Sequence, residues 1–122
     1  MSDDCYKGIP KTVRIGCYVF RVEVSEFEDS EAAGTFGHMN PISQKIRLRP
    51  GMTTQNLANT FIHEVTHGIT WLYGAGVHTG GNYEDTEEDF VTKIANGLCA
   101  FWQDNPKAVA WWTKILRLEE SE

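Results

Sequence analysis

An α+β domain is what this sequence predicts: a small, mostly antiparallel sheet packed on two or three helices, the last of them C-terminal. Three observations carry the prediction. The first half alternates with a period of two, Tyr18, Phe20, Val22 and Val24 against Val19, Arg21 and Glu23, as a half-buried strand does. The second half changes to helical spacing, with Leu57, Phe61, Val65 and Ile69 four residues apart. The chain is 122 residues long, which suits one domain with one modest core.

The elements follow in order. Residues 12 to 24 read as β, and Gly16 divides them into a short strand, Thr12 to Ile15, and a longer one. Asp29 to Pro41 holds Gly34, Gly37, Asn40 and Pro41, the composition of a loop or hairpin. From Ile42 to Arg49 a second alternation sets Ile46 and Leu48 on one side and Lys45, Arg47 and Arg49 on the other. That basic face suits a strand at the sheet edge. Pro50-Gly51 ends it. Thr53 or Thr54 can cap a helix running to about Tyr73, where Gly74 stands as the C-terminal stop. Leu57, Phe61, Ile62, Val65, Ile69 and Leu72 form its apolar stripe. Gly74 to Tyr83 contains four glycines and reads as an irregular surface loop. Thr86-Glu87-Glu88-Asp89 has the form of a capping box that opens the next helix, in which Val91, Ile94, Ala95, Leu98 and Trp102 recur at helical spacing. Asn105-Pro106, a cap followed by a first-turn proline, starts a last helix rich in Val109, Trp111, Trp112, Ile115 and Leu116.

Composition excludes several classes. With 41% hydrophobic and 23% charged residues the chain reads as an ordinary globular domain spanning 1–122, its ordered core at about 11–118. A net charge of -6 argues against a nucleic-acid binder that works by neutralising phosphates. No apolar stretch reaches the length of a membrane span, and Met1-Ser2-Asp3-Asp4 lacks a basic region followed by an apolar core. The expectation is a cytoplasmic protein with no membrane partner; oligomeric state is open. Cys5, Cys17 and Cys99 are odd in number and share no C-x-x-C spacing. Neither a disulfide framework nor a cysteine zinc site is expected, and Cys99, inside an apolar helical pattern, reads as core rather than nucleophile.

One motif names a chemistry. His63-Glu64-Val65-Thr66-His67 is an H-E-x-x-H, and histidines four apart share a helical face, so both imidazoles can reach one metal ion. Glu64 falls where a carboxylate can take a proton from a metal-bound water. A catalytic zinc site needs three protein ligands and one open position. Glycine and a third histidine at three and six places past His67 would make a metzincin, but those places hold Thr70 and Tyr73. A carboxylate on the following helix remains, Glu87 or Glu88, and helical phase does not choose between them.

The ten residues Thr60 to Ile69, uncharged around the motif and with Ile69 two places past the second histidine, resemble the extended signature of zincin metallopeptidases. Over roughly Val13 to Pro106 the chain resembles the small single-domain zincins of the ImmA/IrrE-like kind, including short versions carried by phages. In that register Glu88, two before Phe90-Val91, matches the third ligand. The resemblance implies a zincin-like domain with one zinc ion on His63, His67 and Glu88, a gluzincin-type set. Glu64 would act as general base and peptide bonds of a peptide or protein substrate would be hydrolysed. The alternative is a non-catalytic zincin-like module that grips a peptide or protein without cutting it. His78, in the glycine-rich segment, is a candidate oxyanion stabiliser, although a plain surface position explains it too; His38 has a weaker claim of the same sort. Tyr73 and Tyr83 read as packing residues. The strand from Ile42 to Arg49 is expected to form the upper rim of the cleft, its free edge pairing with an extended substrate.

Overall fold

The computed structural model describes residues 5–26, 36–74 and 83–117, with side chains from 88 onward in the last segment. The expected break at Gly16 is present. Gly16 takes a φ of 62°, a left-handed turn that glycine adopts without a Cβ clash, and β1 (Thr12–Ile15) folds back antiparallel on β2 (Tyr18–Val24). Val13, Ile15 and Phe20 point to one side and are buried, whereas Thr12, Arg14, Val19 and Arg21 are exposed on the other.

Of the two readings of the segment ending at Pro41, loop or hairpin, its described part forms a hairpin. β3 (Gly37–Asn40) pairs antiparallel with β4 (Lys45–Leu48) through a turn that the side chain of Asn40 organises. Its Oδ1 accepts the amides of Ile42 at 2.9 Å and Ser43 at 3.2 Å, and Gln44 closes the turn with a φ of 58°. Ile42 is 87% exposed, so β4 begins three residues later than the alternation suggests. A side-chain oxygen that satisfies two amides stabilises a turn more than an isolated apolar residue favours a strand.

β4 also pairs with β2, in parallel, Arg21 opposite Lys45 through Val24 opposite Leu48. The described sheet is therefore mixed, with strand order β1-β2-β4-β3. This overturns the expectation that Ile42 to Arg49 offers a free edge, because β4 is bonded on both sides. Its cations lie on the sheet face opposite Ile46 and Leu48. There Lys45 and Arg47 each meet Glu23 at 3.7 Å, and Arg49 meets Glu26 at 3.1 Å.

Among the described residues three helices lie on the other side: α1 (Thr54–Tyr73) and α2 (Tyr83–Asp104) pack against strands, and α3 (Pro106–Leu116) packs on α1 and α2. α1 begins and ends as the sequence predicts. The Thr53 hydroxyl accepts the Asn56 amide at 3.2 Å, and Gly74 ends the helix at φ 74°. Leu57, Phe61, Val65 and Ile69 are fully buried. Phe61 meets the Trp111 ring edge-on at a centroid distance of 5.1 Å, and Gly68 lets α1 lie against Ile15 of β1, where a Cβ would stand 2.7 Å from its Cδ1.

α2 differs from expectation at both ends. It is already helical at Tyr83, so Thr86 to Asp89 lie within its first two turns and do not open it. At the other end Asn105 precedes Pro106 but makes no side-chain cap. Its amide instead bonds the Arg14 amide and carbonyl, both at 2.7 Å, and the Phe101 carbonyl at 3.0 Å, tying the α2–α3 corner to β1. Cys99 is exposed rather than core, because α2 buries the neighbouring face through Gly97 and Phe101. Cys5 is the buried cysteine, under α3, whose Trp111 indole donates to the Cys5 carbonyl at 3.1 Å. Among the described residues no helix is long and apolar enough to cross a membrane. The expected glycine-rich loop falls on residues 75–82, outside those described.

Candidate functional site

Three rows of side chains, each at intervals of four, divide α1. Leu57, Phe61, Val65 and Ile69 face the core. Thr60, Glu64 and Gly68 face the sheet and are buried. Asn59, His63, His67 and Trp71 are exposed and line one cavity. Successive helical residues turn by about 100°, so a histidine and the glutamate after it fall on adjacent rows. The motif thereby places two accessible imidazoles beside one shielded carboxylate.

The cavity has a volume of about 650 Å³. Its opposite wall is Phe36 and the β3 residues Gly37 to Met39, with Pro41 beyond. Gly37 lets that wall come close. A Cβ there would stand 2.7 Å from Thr60 Cγ2, 3.1 Å from the Arg47 carbonyl and 3.2 Å from Glu64 Cγ, all tighter than ordinary contacts. The sequence carries a hint of this in a glycine ahead of an Asn-Pro turn, but which helix row it abuts is a property of the fold.

The two imidazoles converge. Nε2 of His63 lies 3.2 Å from Nε2 of His67, the rings nearly perpendicular at 81°. Two nitrogens each about 2.05 Å from a tetrahedral zinc would lie about 3.3 Å apart, a spacing this pair matches and that a hydrogen bond between the two rings gives equally. Glu64 is 6% exposed. Burial raises its pKa above the ordinary carboxylate value, while the charges of His67, His63 and His38 act in the opposite sense. His38 stands on β3, half-buried and opposite Arg47, and contributes to the cavity wall.

The third ligand is not assembled in the same way. Glu88 lies on α2, exposed, and does not line the cavity. Among the described residues no group of three histidine, cysteine, aspartate or glutamate side chains is placed to hold a metal ion. The Glu87 side chain and His78 fall outside the described residues, as does the side chain of Tyr83. Tyr73 is half-buried against Gly97 of α2, a packing position. Trp71 is the cavity residue that a search for metal ligands passes over, although it follows His67 at the same interval of four. No protein-family model matches the chain, and no curated protein or solved structure matches it significantly.

Proposed function

We propose that this chain is a zinc-dependent endopeptidase of the zincin type, working in the cytoplasm on a peptide or protein substrate. His63 and His67 would hold one zinc ion, with Glu88 of α2 as the third ligand that the resemblance implies. The observation that supports this reading best is the 3.2 Å separation of the two Nε2 atoms beside a buried carboxylate in an open cavity. Free Cys17 and Cys99, both exposed, suit a reducing compartment.

When bound, zinc supplies Lewis acidity, polarising a carbonyl oxygen and acidifying a water molecule. The chain does the rest. His63 and His67 project from consecutive turns of a helix capped at both ends, which keeps their nitrogens convergent. Glu64 takes the proton of the attacking water and delivers it to the leaving amine. Its Cγ packs close to Gly37 and Thr60 lies one turn before it on the same row, so the side chain is hemmed between α1 and β3. The cavity lies within the range of small-ligand clefts, about 300–1,000 Å³, and its open side admits a segment of chain.

Metal analysis after dialysis, combined with peptide turnover, tests the proposal. One zinc per chain and cleavage of a peptide library are expected. Glu64→Gln should keep the zinc and lose a factor of about 10²–10⁴ in rate; wild-type turnover in that variant removes Glu64 as the general base. Zinc with peptide capture but no cleavage by the native chain would make the protein a binding module.

A further inference from the structure

Trp71 combines two properties that rarely coincide. It is 41% exposed, yet its indole is braced from behind. The Tyr18 ring lies 5.2 Å away, tilted at 59°, and the Phe20 ring lies 6.4 Å away, edge-on. A large aromatic surface held rigid and left open costs little conformational entropy when something packs on it, which is why tryptophans dominate the energetics of binding surfaces.

Its place is specific. Trp71 follows His67 by one turn, about 6 Å along the helix axis, and it lines the same cavity. An extended peptide advances about 3.3 Å per residue, so a side chain resting on Trp71 belongs to a residue one or two positions from the atoms at the histidine pair. Met39 and Pro41 line the cavity across from α1, and apart from the histidines and Glu64 no described lining residue is charged. Away from the histidines and Glu64, a charged side chain entering there would lose water and meet no opposite charge among the described lining residues.

We infer that Trp71 is the wall of a specificity subsite that accepts a large apolar or aromatic side chain next to the bond held at His63 and His67. The inference rests on the peptide-cleaving reading for the nature of the occupant, but not on turnover. A random peptide library selected on the zinc-supplied full chain carrying Glu64→Gln tests it, with Trp71→Ala and Trp71→Arg added in parallel. The first selection should enrich peptides with Trp, Phe or Leu at one fixed position. Trp71→Ala should reduce that enrichment about tenfold or more, the scale on which apolar pockets discriminate. Trp71→Arg keeps an aliphatic stem and a planar head against Tyr18 and Phe20, so it carries the test if the alanine variant fails to fold. It should shift the selected residue from apolar to acidic. An absence of enriched peptides, or the same apolar preference in both Trp71 variants, overturns the subsite. Selected peptides that the wild-type chain binds but never cuts would remove the peptidase reading and leave the subsite standing.

Discussion

α1 and α2 are nearly equal in length, 20 and 22 residues, yet the fold holds them in different ways. α1 is enclosed. Its core row packs on Trp111 of α3, Gly68 lies against β1, and Thr60 and Glu64 meet Gly37 of β3. Among the described side chains of α2 the buried contacts lie toward its C-terminal end, where Gly97 meets Ile69 and Tyr73, Phe101 is buried and the Asn105 side chain clamps the corner. Earlier in α2 the apolar residues Phe90 and Val91 are 41% and 52% exposed. The Lys93–Asp89 pair at 3.1 Å is a surface i,i+4 contact of about 0.3–0.5 kcal/mol, too little to anchor a helix. The two proposed metal donors His63 and His67 therefore stand on the element the core immobilises, and the proposed third stands nine residues before Gly97, where α2 meets Ile69 and Tyr73 of α1. Proximity of a pair can be built into one helix; a complete ligand set depends on how a second helix is seated.

That contrast can be broken most directly in the core. Phe61→Ala should cost about 3–5 kcal/mol in urea unfolding, because it empties a fully enclosed site between α1 and α3. Trp102→Ala, on the half-exposed face of α2, should cost about 1 kcal/mol, despite its ring contacts with Phe101 and Trp112. Equal losses would show that the two helices are held alike.

A sharper probe is Gly97→Ala. A Cβ there would collide with Ile69 and press on the Tyr73 ring, so α2 must shift away from α1 at a cost of about 1–3 kcal/mol. Amide exchange should quicken along α2 more than along α1, and zinc affinity should fall although neither histidine is touched. Unchanged zinc affinity would mean that the seating of α2 does not govern the metal.

The smallest effects on stability are expected at the donors themselves. His63 and His67 are exposed, so either alanine variant should change stability by no more than about 0.5 kcal/mol while abolishing stoichiometric zinc in metal analysis. Glu88→Ala should likewise leave the fold intact and weaken zinc more than Glu87→Ala does. The reverse order would move the ligand register by one residue.

How much of this was legible beforehand follows the range of the interactions. α1 could be read to within a residue because everything that defines it lies within a turn of itself: a Thr53 or Thr54 cap, the apolar period and the left-handed Gly74. The same holds for the break at Gly16 and for the placing of His63, Glu64 and His67 on adjacent rows, since side-chain direction on a helix follows from spacing alone. Errors cluster where a partner distant in sequence decides. Asn105 looks like a cap until β1 supplies better hydrogen-bond partners for its amide. Cys99 looks like core until the rotation of α2 is set by Gly97 meeting Ile69.

By itself the sequence determined α1, the strands β1 and β2 and the placing of two imidazoles beside one carboxylate, because local backbone geometry carries all three. Only the tertiary structure decided that β4 lies inside the sheet and β3 beside the cavity, that Gly37 brings that wall against Glu64, and that Trp71 stands braced at the cavity's end. Strand order and the meeting of a strand with a helix depend on which apolar faces close over one another. The alternation of a strand states which side it buries and leaves its neighbours to be chosen by the rest of the chain.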